Sequence, residues 1–276
     1  MRGSGQEGIE TAASAGELGI KGGRTGCRSI EAALVLAKAV AQSPDVVALR
    51  GIEGFEGLIH RANDAQTVAE VDAFLDRVLE CAQRCAKEGL FARGEVLLSA
   101  GGSAFYDRVS SKLAHVNLDR PTVVVLRGGC YLIHDHIMYG RAFEQIIARS
   151  SVAAGMQPGL KPALEVWSYV QSLPEPGRAI VMLGKRDISY DDMPIPLKWY
   201  RPGSEISDAT TVDGDYGVSH LNDQHCYVNV PDDCPWRIGD MVGFGISHPC
   251  LTFDKWRLLY LVNDEYLVVG AVRTYF

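Results

Sequence analysis

The chain has 276 residues, 47% of them hydrophobic, enough to bury a large core and to form two domains. A net charge of −7 and a pI near 5.5 argue against nucleic acid or an anionic membrane as partner. No apolar run approaches the ~20 residues of a membrane span, and the polar opening Met1-Arg2-Gly3-Ser4-Gly5 is no secretory signal.

Along the first half, strand-like and helix-like segments alternate. Residues 17–20 read as the end of a short strand before a glycine-rich turn, and 29–43 as an alanine-rich helix. Residues 46–59 read as strand, and 65–87 as a long helix with apolar residues every three or four positions. Residues 95–100 read as a buried-type strand, 104–114 as a helix, and 122–126 as another buried-type strand. Four such units with continuous apolar strands imply a parallel sheet covered by helices. Ahead of them, residues 7–16 lack the Val/Ile/Leu character of a barrel strand, so 1–16 is expected to be an unrelated, disordered leader.

After Pro162 helical periodicity disappears. Strand-like stretches at 163–170, 179–183, 225–230, 240–246 and 258–275 are separated by turns such as Pro174-Glu175-Pro176-Gly177 and Asp213-Gly214-Asp215. That pattern predicts an antiparallel β domain. The expected division is therefore an α/β part over 17–155 and an all-β part over 156–276. A closed eight-stranded barrel takes about 250 residues. The first half falls well short of that, so either the sheet is open or the barrel begins elsewhere.

Each strand of the first half ends in a polar, glycine-rich cluster, where parallel α/β folds place their sites. In Ser99-Ala100-Gly101-Gly102-Ser103, consecutive glycines let N–H groups converge on an anion, and Ser103 is expected to open a helix. The plainer alternative is a strand-to-helix turn capped by Ser103. Arg24 is a charge-assisted donor or a solvated loop arginine, and Tyr131 a cofactor neighbour or a packed aromatic. His134 and His136 read better as a loop held by Asp135 than as a metal pair. Lys185, in Gly184-Lys185-Arg186-Asp187, reads better as part of an ion-pair network than as a catalytic lysine.

His248 and Cys250 stand two residues apart in Ser247-His248-Pro249-Cys250. On an extended segment such residues project to one side, and an imidazole with a thiolate suits a zinc-type cation. The alternative is a buried histidine beside an inert cysteine. His225, 23 residues earlier in Asp223-Gln224-His225, adds a further imidazole with an acid nearby. The seven cysteines, at Cys27, Cys81, Cys85, Cys130, Cys226, Cys234 and Cys250, are odd in number and scattered. That suits a reducing cytoplasm rather than a disulfide framework.

Together, Gly22-Gly23-Arg24-Thr25-Gly26, Ser99 to Ser103, Arg127-Gly128-Gly129-Cys130-Tyr131, Gly184 to Asp187, Asp223 to His225 and Ser247 through Trp256 carry a resemblance. From about residue 17 to Phe276 the sequence resembles the D-serine dehydratase / D-threonine aldolase family of alanine racemase-like pyridoxal-phosphate (PLP) enzymes. The resemblance implies part of a (β/α) PLP barrel, about four units, followed by an antiparallel β domain, assembled as a homodimer. It implies that Gly101, Gly102 and Ser103 hold the PLP phosphate, that Arg24 and Tyr131 lie near its ring, and that His248 and Cys250 bind a divalent metal, zinc by ligand type. The implied reactions are dehydration of D-serine or D-3-hydroxyaspartate and retro-aldol cleavage of D-threonine-like substrates. His225 is a candidate catalytic residue.

One feature of that family is missing. Its members carry the Schiff-base lysine in an arginine-proline-histidine-x-lysine-threonine context. None of the eight lysines here (Lys21, Lys38, Lys87, Lys112, Lys161, Lys185, Lys198, Lys255) has those neighbours. Such a lysine anchors the cofactor and moves the α-proton. The expectation is therefore a family portion that lacks its lysine segment, with two alternatives: an inactive remnant that retains metal, or a metallohydrolase using His225, His248 and Cys250.

Overall fold

The computed structural model describes the backbone of residues 9–14 and, with side chains, residues 26–156 and 158–275. Contacts divide the chain into two compact units, one ending at Gly129 and one beginning at Cys130. This division falls earlier than the expected 155/156, and residues 133–136 bond to Ala163, Ile246 and His248 of the second unit.

The first unit is a four-stranded parallel sheet in sequential order: β1 (Ile9–Ser14), β2 (Val47–Glu53), β3 (Val96–Ala100) and β4 (Thr122–Leu126). Helices α1 (Ile30–Ala41), α2 (Asp64–Lys87) and α3 (Tyr106–Leu113) connect the strands. Caps start the first two helices: Ser29 accepts from Ala32 N, and Asn63 accepts from Gln66 N. Helix α2 buries Val71, Phe74, Leu75, Val78, Cys81, Ala82 and Cys85, the helical stripe seen in sequence. It packs on Leu49, Ile52 and Leu98 of the sheet. Gly51 makes the β2–β3 approach possible, since a Cβ there would lie 1.9 Å from the Leu97 carbonyl oxygen.

Two expectations are corrected here. Residues 9–14, taken as leader, form β1 and pair in parallel with β2. Strand β4 is not buried: it closes the sheet order, and Val123, Val125 and Leu126 are exposed. Only Val124 turns toward the core.

In the second unit, after a 3₁₀ turn (Gly129–Tyr131), come α4 (Met138–Arg149) and α5 (Ser151–Ala154), a helical stretch absent from the sequence reading. The strands follow: β5 (Glu165–Glu175), β6 (Arg178–Val181), β7 (Ile195–Tyr200), β8 (Thr210–Thr211), β9 (Gly217–Leu221), β10 (Cys226–Asn229) and β11 (Met241–Gly245). They form one seven-stranded sheet ordered β8-β7-β11-β5-β6-β10-β9, with antiparallel pairings throughout. Its core holds Val170, Val181, Leu183, Ile188, Cys226, Val242, Phe244 and Ile246. A short helix α6 (Cys250–Phe253) precedes a separate hairpin of β12 (Leu258–Val262) and β13 (Val268–Arg273). The fold class is as expected: a partial parallel α/β sheet, then an antiparallel β domain. Among the described residues no helix is long and apolar enough to cross a membrane.

Candidate functional site

The first candidate site lies at the strand ends of the first unit. Arg127, just past β4, donates to the Glu53 carboxylate and to the Gly54 carbonyl, tying β4 to the end of β2. The β3 turn bends at Gly101, whose φ of +87° suits glycine. Its N–H groups do converge on an anion, as the glycines predict, but that anion is internal. The Glu56 carboxylate accepts from Gly101 N at 3.1 Å and from Gly102 N at 2.8 Å, and Glu56 is fully buried. The Phe55 ring lies over Gly102, 3.2 Å from where a Cβ would stand.

The expected phosphate cradle is corrected accordingly. Two of its three residues spend their N–H groups on Glu56, and a second anion there would meet a buried carboxylate. Ser103 does not open a helix: α3 begins at Tyr106, with Phe105 as an N-cap lacking a side-chain bond. The turn as folded does not fit the phosphate of PLP. Arg24 and Lys21 fall outside the described residues. Tyr131 ends the 3₁₀ turn in the second unit, 40% exposed.

The second candidate site lies wholly in the second unit, where three segments meet. Asp135, 1% exposed, accepts from Ile137 N (2.9 Å), Tyr139 N (2.8 Å) and Gly140 N (3.3 Å) through Oδ1, so it caps α4 from three residues upstream. Its Oδ2 accepts the His248 backbone N–H at 3.0 Å. His136 N donates to Ile246 O (3.2 Å), joining the same segments. From a third loop, Asp191 Oδ2 lies 2.6 Å from His248 Nδ1. Trp256 Nε1 donates to Asp187 O (2.7 Å), and Ser189 N to Thr252 Oγ1 (2.9 Å), fixing that loop against α6.

The His248 segment is not extended, contrary to the premise drawn from spacing. His248 has φ +46°, Pro249 is helical, and Cys250 opens α6. A bend rather than a pleat thus sets the relation of imidazole to thiol. Cys250 is exposed, whereas Cys226 is buried, which pushes its thiol up to about 12 and makes it inert. The Tyr139 phenol is held well above its ordinary range, first by burial and then by the neighbouring Cys130 and Cys250 thiols.

His134 and His136 take the plainer reading. Burial lowers the pKa of both imidazoles, and His134 packs edge-on against Phe143 at 5.8 Å. Lys185 sits in a tight turn rather than an ion-pair network: Asp187 accepts Gly184 N at 2.8 Å, and Lys185 N donates to Asn222 O. His225 borders an open cleft of about 350 Å³ with Lys185, Asn222, Asp223 and Gln224. No described hydrogen bond or ion pair joins it to His248 or Cys250. Sequence reasoning passed over Glu56, Tyr139 and Asp191; the Asp191-Asp192 doublet before Met193-Pro194 was the available signal for the last.

For a metal, imidazole and thiolate form a suitable donor set. Contacts to the His248 ring engage Nδ1 only. Among the described residues no cluster of three His, Cys, Asp or Glu is arranged to hold an ion. With no third protein donor beside it among the described residues, the pair falls short of an ordinary zinc site, and only its donor chemistry recommends it for a metal.

Comparison with known proteins adds the class. Residues 163–262 match the family model described as "Putative serine dehydratase domain". No curated protein matches the sequence. D-threonine aldolase from Filomicrobium marinum superposes with a TM-score of 0.60 at 21% identity, over 92% of this chain and 59% of that one. D-threo-3-hydroxyaspartate dehydratase from a Delftia species gives 0.59 at 14%, over 97% and 65%. An alanine racemase-like protein from Idiomarina loihiensis gives 0.50 at 15%, over 82% and 55%. Solved variants of the dehydratase include a cysteine-to-alanine form described as metal-free and a histidine-to-alanine form, altered at positions two residues apart. This chain spans 55–65% of the length of the three proteins compared. At these identities the likeness is one of fold, and that fold is alanine racemase-like. Within it, residues 163–262 of the second unit are the part that matches the serine dehydratase domain model.

Proposed function

We propose that this protein serves lyase chemistry on D-β-hydroxy amino acids, assisted by a divalent metal held by His248 and Cys250. The reaction would be dehydration of D-serine or D-3-hydroxyaspartate, or retro-aldol cleavage of a D-threonine-like substrate. The observation that carries this reading is the His248–Cys250 bend, braced from a buried carboxylate and left with an exposed thiol. The same two-residue spacing is substituted in the dehydratase variants, one of them metal-free. A metal there would supply Lewis-acid polarisation of a substrate hydroxyl. Asp135 fixes the backbone that presents the imidazole, and Cys250 offers its sulfur from the first turn of α6. Zinc suits these donors best. Homodimeric assembly and a cytoplasmic location belong to the same proposal.

PLP enters this reading through the resemblance alone. A second reading, a metal-binding chain that is catalytically silent, is favoured by the Glu56 carboxylate in the Gly101–Gly102 turn. One paired experiment separates them: zinc content of the purified protein, and ammonia release from D-serine and D-threo-3-hydroxyaspartate with PLP and zinc present. Ammonia release that disappears in His248→Ala supports the lyase. Bound zinc without ammonia, and without glycine formed from D-threonine under the same conditions, supports the silent chain. Zinc content unchanged in both His248→Ala and Cys250→Ala removes the metal pair and both readings with it.

A further inference from the structure

The geometry points to Asp191 as a positioning residue that fixes His248 in one tautomer, with the proton on Nδ1 and the lone pair on Nε2. The inference rests on the metal-site reading for its consequence, but its physical core does not. An ionised carboxylate can only accept hydrogen bonds. A contact of 2.6 Å between Asp191 Oδ2 and His248 Nδ1 therefore requires a proton on Nδ1. In the neutral ring the lone pair then resides on Nε2, and that is the atom offered to a cation. Metal-bound imidazoles elsewhere commonly donate their second N–H to a carboxylate in this manner, which sets ring orientation and raises ligand basicity.

The contact alone would be weak, because both side chains are partly exposed, His248 at 30% and Asp191 at 39%. What makes it selective is that both ends are held. The His248 main chain is bonded to Asp135, whose other oxygen is committed to the start of α4. The loop bearing Asp191 is bonded on its upstream side to the α6 segment, through Ser189 N to Thr252 Oγ1 and through Asp187 O to Trp256 Nε1. A free imidazole would rotate and sample both tautomers. Here the ring finds the carboxylate on one side only.

The test is long-range proton–nitrogen NMR on the metal-free chain of 276 residues, labelled in histidine. At pH about 8.5 every ordinary imidazole is neutral. The His248 signals are assigned by their loss in His248→Gln. The expected spectrum shows a protonated Nδ1 and a bare Nε2, and both Asp191→Ala and Asp191→Asn should turn this into a mixture or reverse it. Titration with zinc alone should show affinity falling about 10- to 100-fold in the same variants, with partial recovery in Asp191→Glu. A bare Nδ1 in the parent protein, or a tautomer unmoved by both substitutions, overturns the inference. If the parent binds no zinc while the tautomer still follows Asp191, the positioning role stands and the metal reading falls.

Discussion

The two candidate sites are built from similar parts and finished differently. At the strand ends of the first unit, a glycine turn gathers N–H donors and a buried glutamate fills them from within the chain. In the second unit, a buried aspartate gathers N–H donors too, but one of those belongs to a histidine whose side chain points elsewhere. Glu56 fills its turn from within; Asp135 holds only the backbone of His248 and leaves the ring outside its network. A converging set of donors is therefore no sign of a ligand until its internal acceptors have been counted.

This contrast predicts opposite responses to substitution. The largest effect is expected at Glu56. Glu56→Ala strands the buried Gly101 N–H and the half-buried Gly102 N–H and should lower the stability of the first unit by about 2–4 kcal/mol, read from urea denaturation. A loss under about 1 kcal/mol would mean that the turn rearranges easily and is not sealed. Next comes metal: zinc at about 100 times its Kd should stabilise the second unit by roughly 2.7 kcal/mol. That gain should vanish in His248→Ala and Cys250→Ala, which without zinc should lie within about 0.5 kcal/mol of the parent. Asp135→Asn should cost about 1.5–3 kcal/mol, because an amide NH₂ would then face N–H donors.

The smallest effect separates the units by acid. His134 and His136 have pKa values lowered by burial, so the folded second unit binds fewer protons than its unfolded chain. The stability they confer is complete above the unfolded value of about 6.5 and is lost as pH falls through it toward the lowered folded values. Thermal unfolding followed from pH about 7 to about 5 should show the second unit weakening, and the pair His134→Gln with His136→Gln should flatten that slope.

Much of the first unit was legible because its signals are local. The stripe of α2 and the caps Ser29 and Asn63 lie within a few residues of what they organise. What escaped was long-range. Glu56 reaches Gly101 across 45 residues, and Asp135 reaches His248 across 113. The left-handed bend at His248 has no local cause in Ser247-His248-Pro249, so reading the segment as extended was natural and mistaken. Strands β7 and β9 were missed because Pro196 and the short polar run Gly217–Leu221 weaken alternation. Helix α4 escaped because it buries only Ala142 and Ile146, too sparse a stripe to mark a helix by periodicity.

That bend has one more consequence. At φ +46° a glycine would sit more comfortably than any L-residue, by about 1 kcal/mol. His248→Gly should therefore yield a sturdier protein by thermal melt that has lost its grip on zinc. Under the proposed metal reading, the chain gives up some robustness at this position to place the His248 ring.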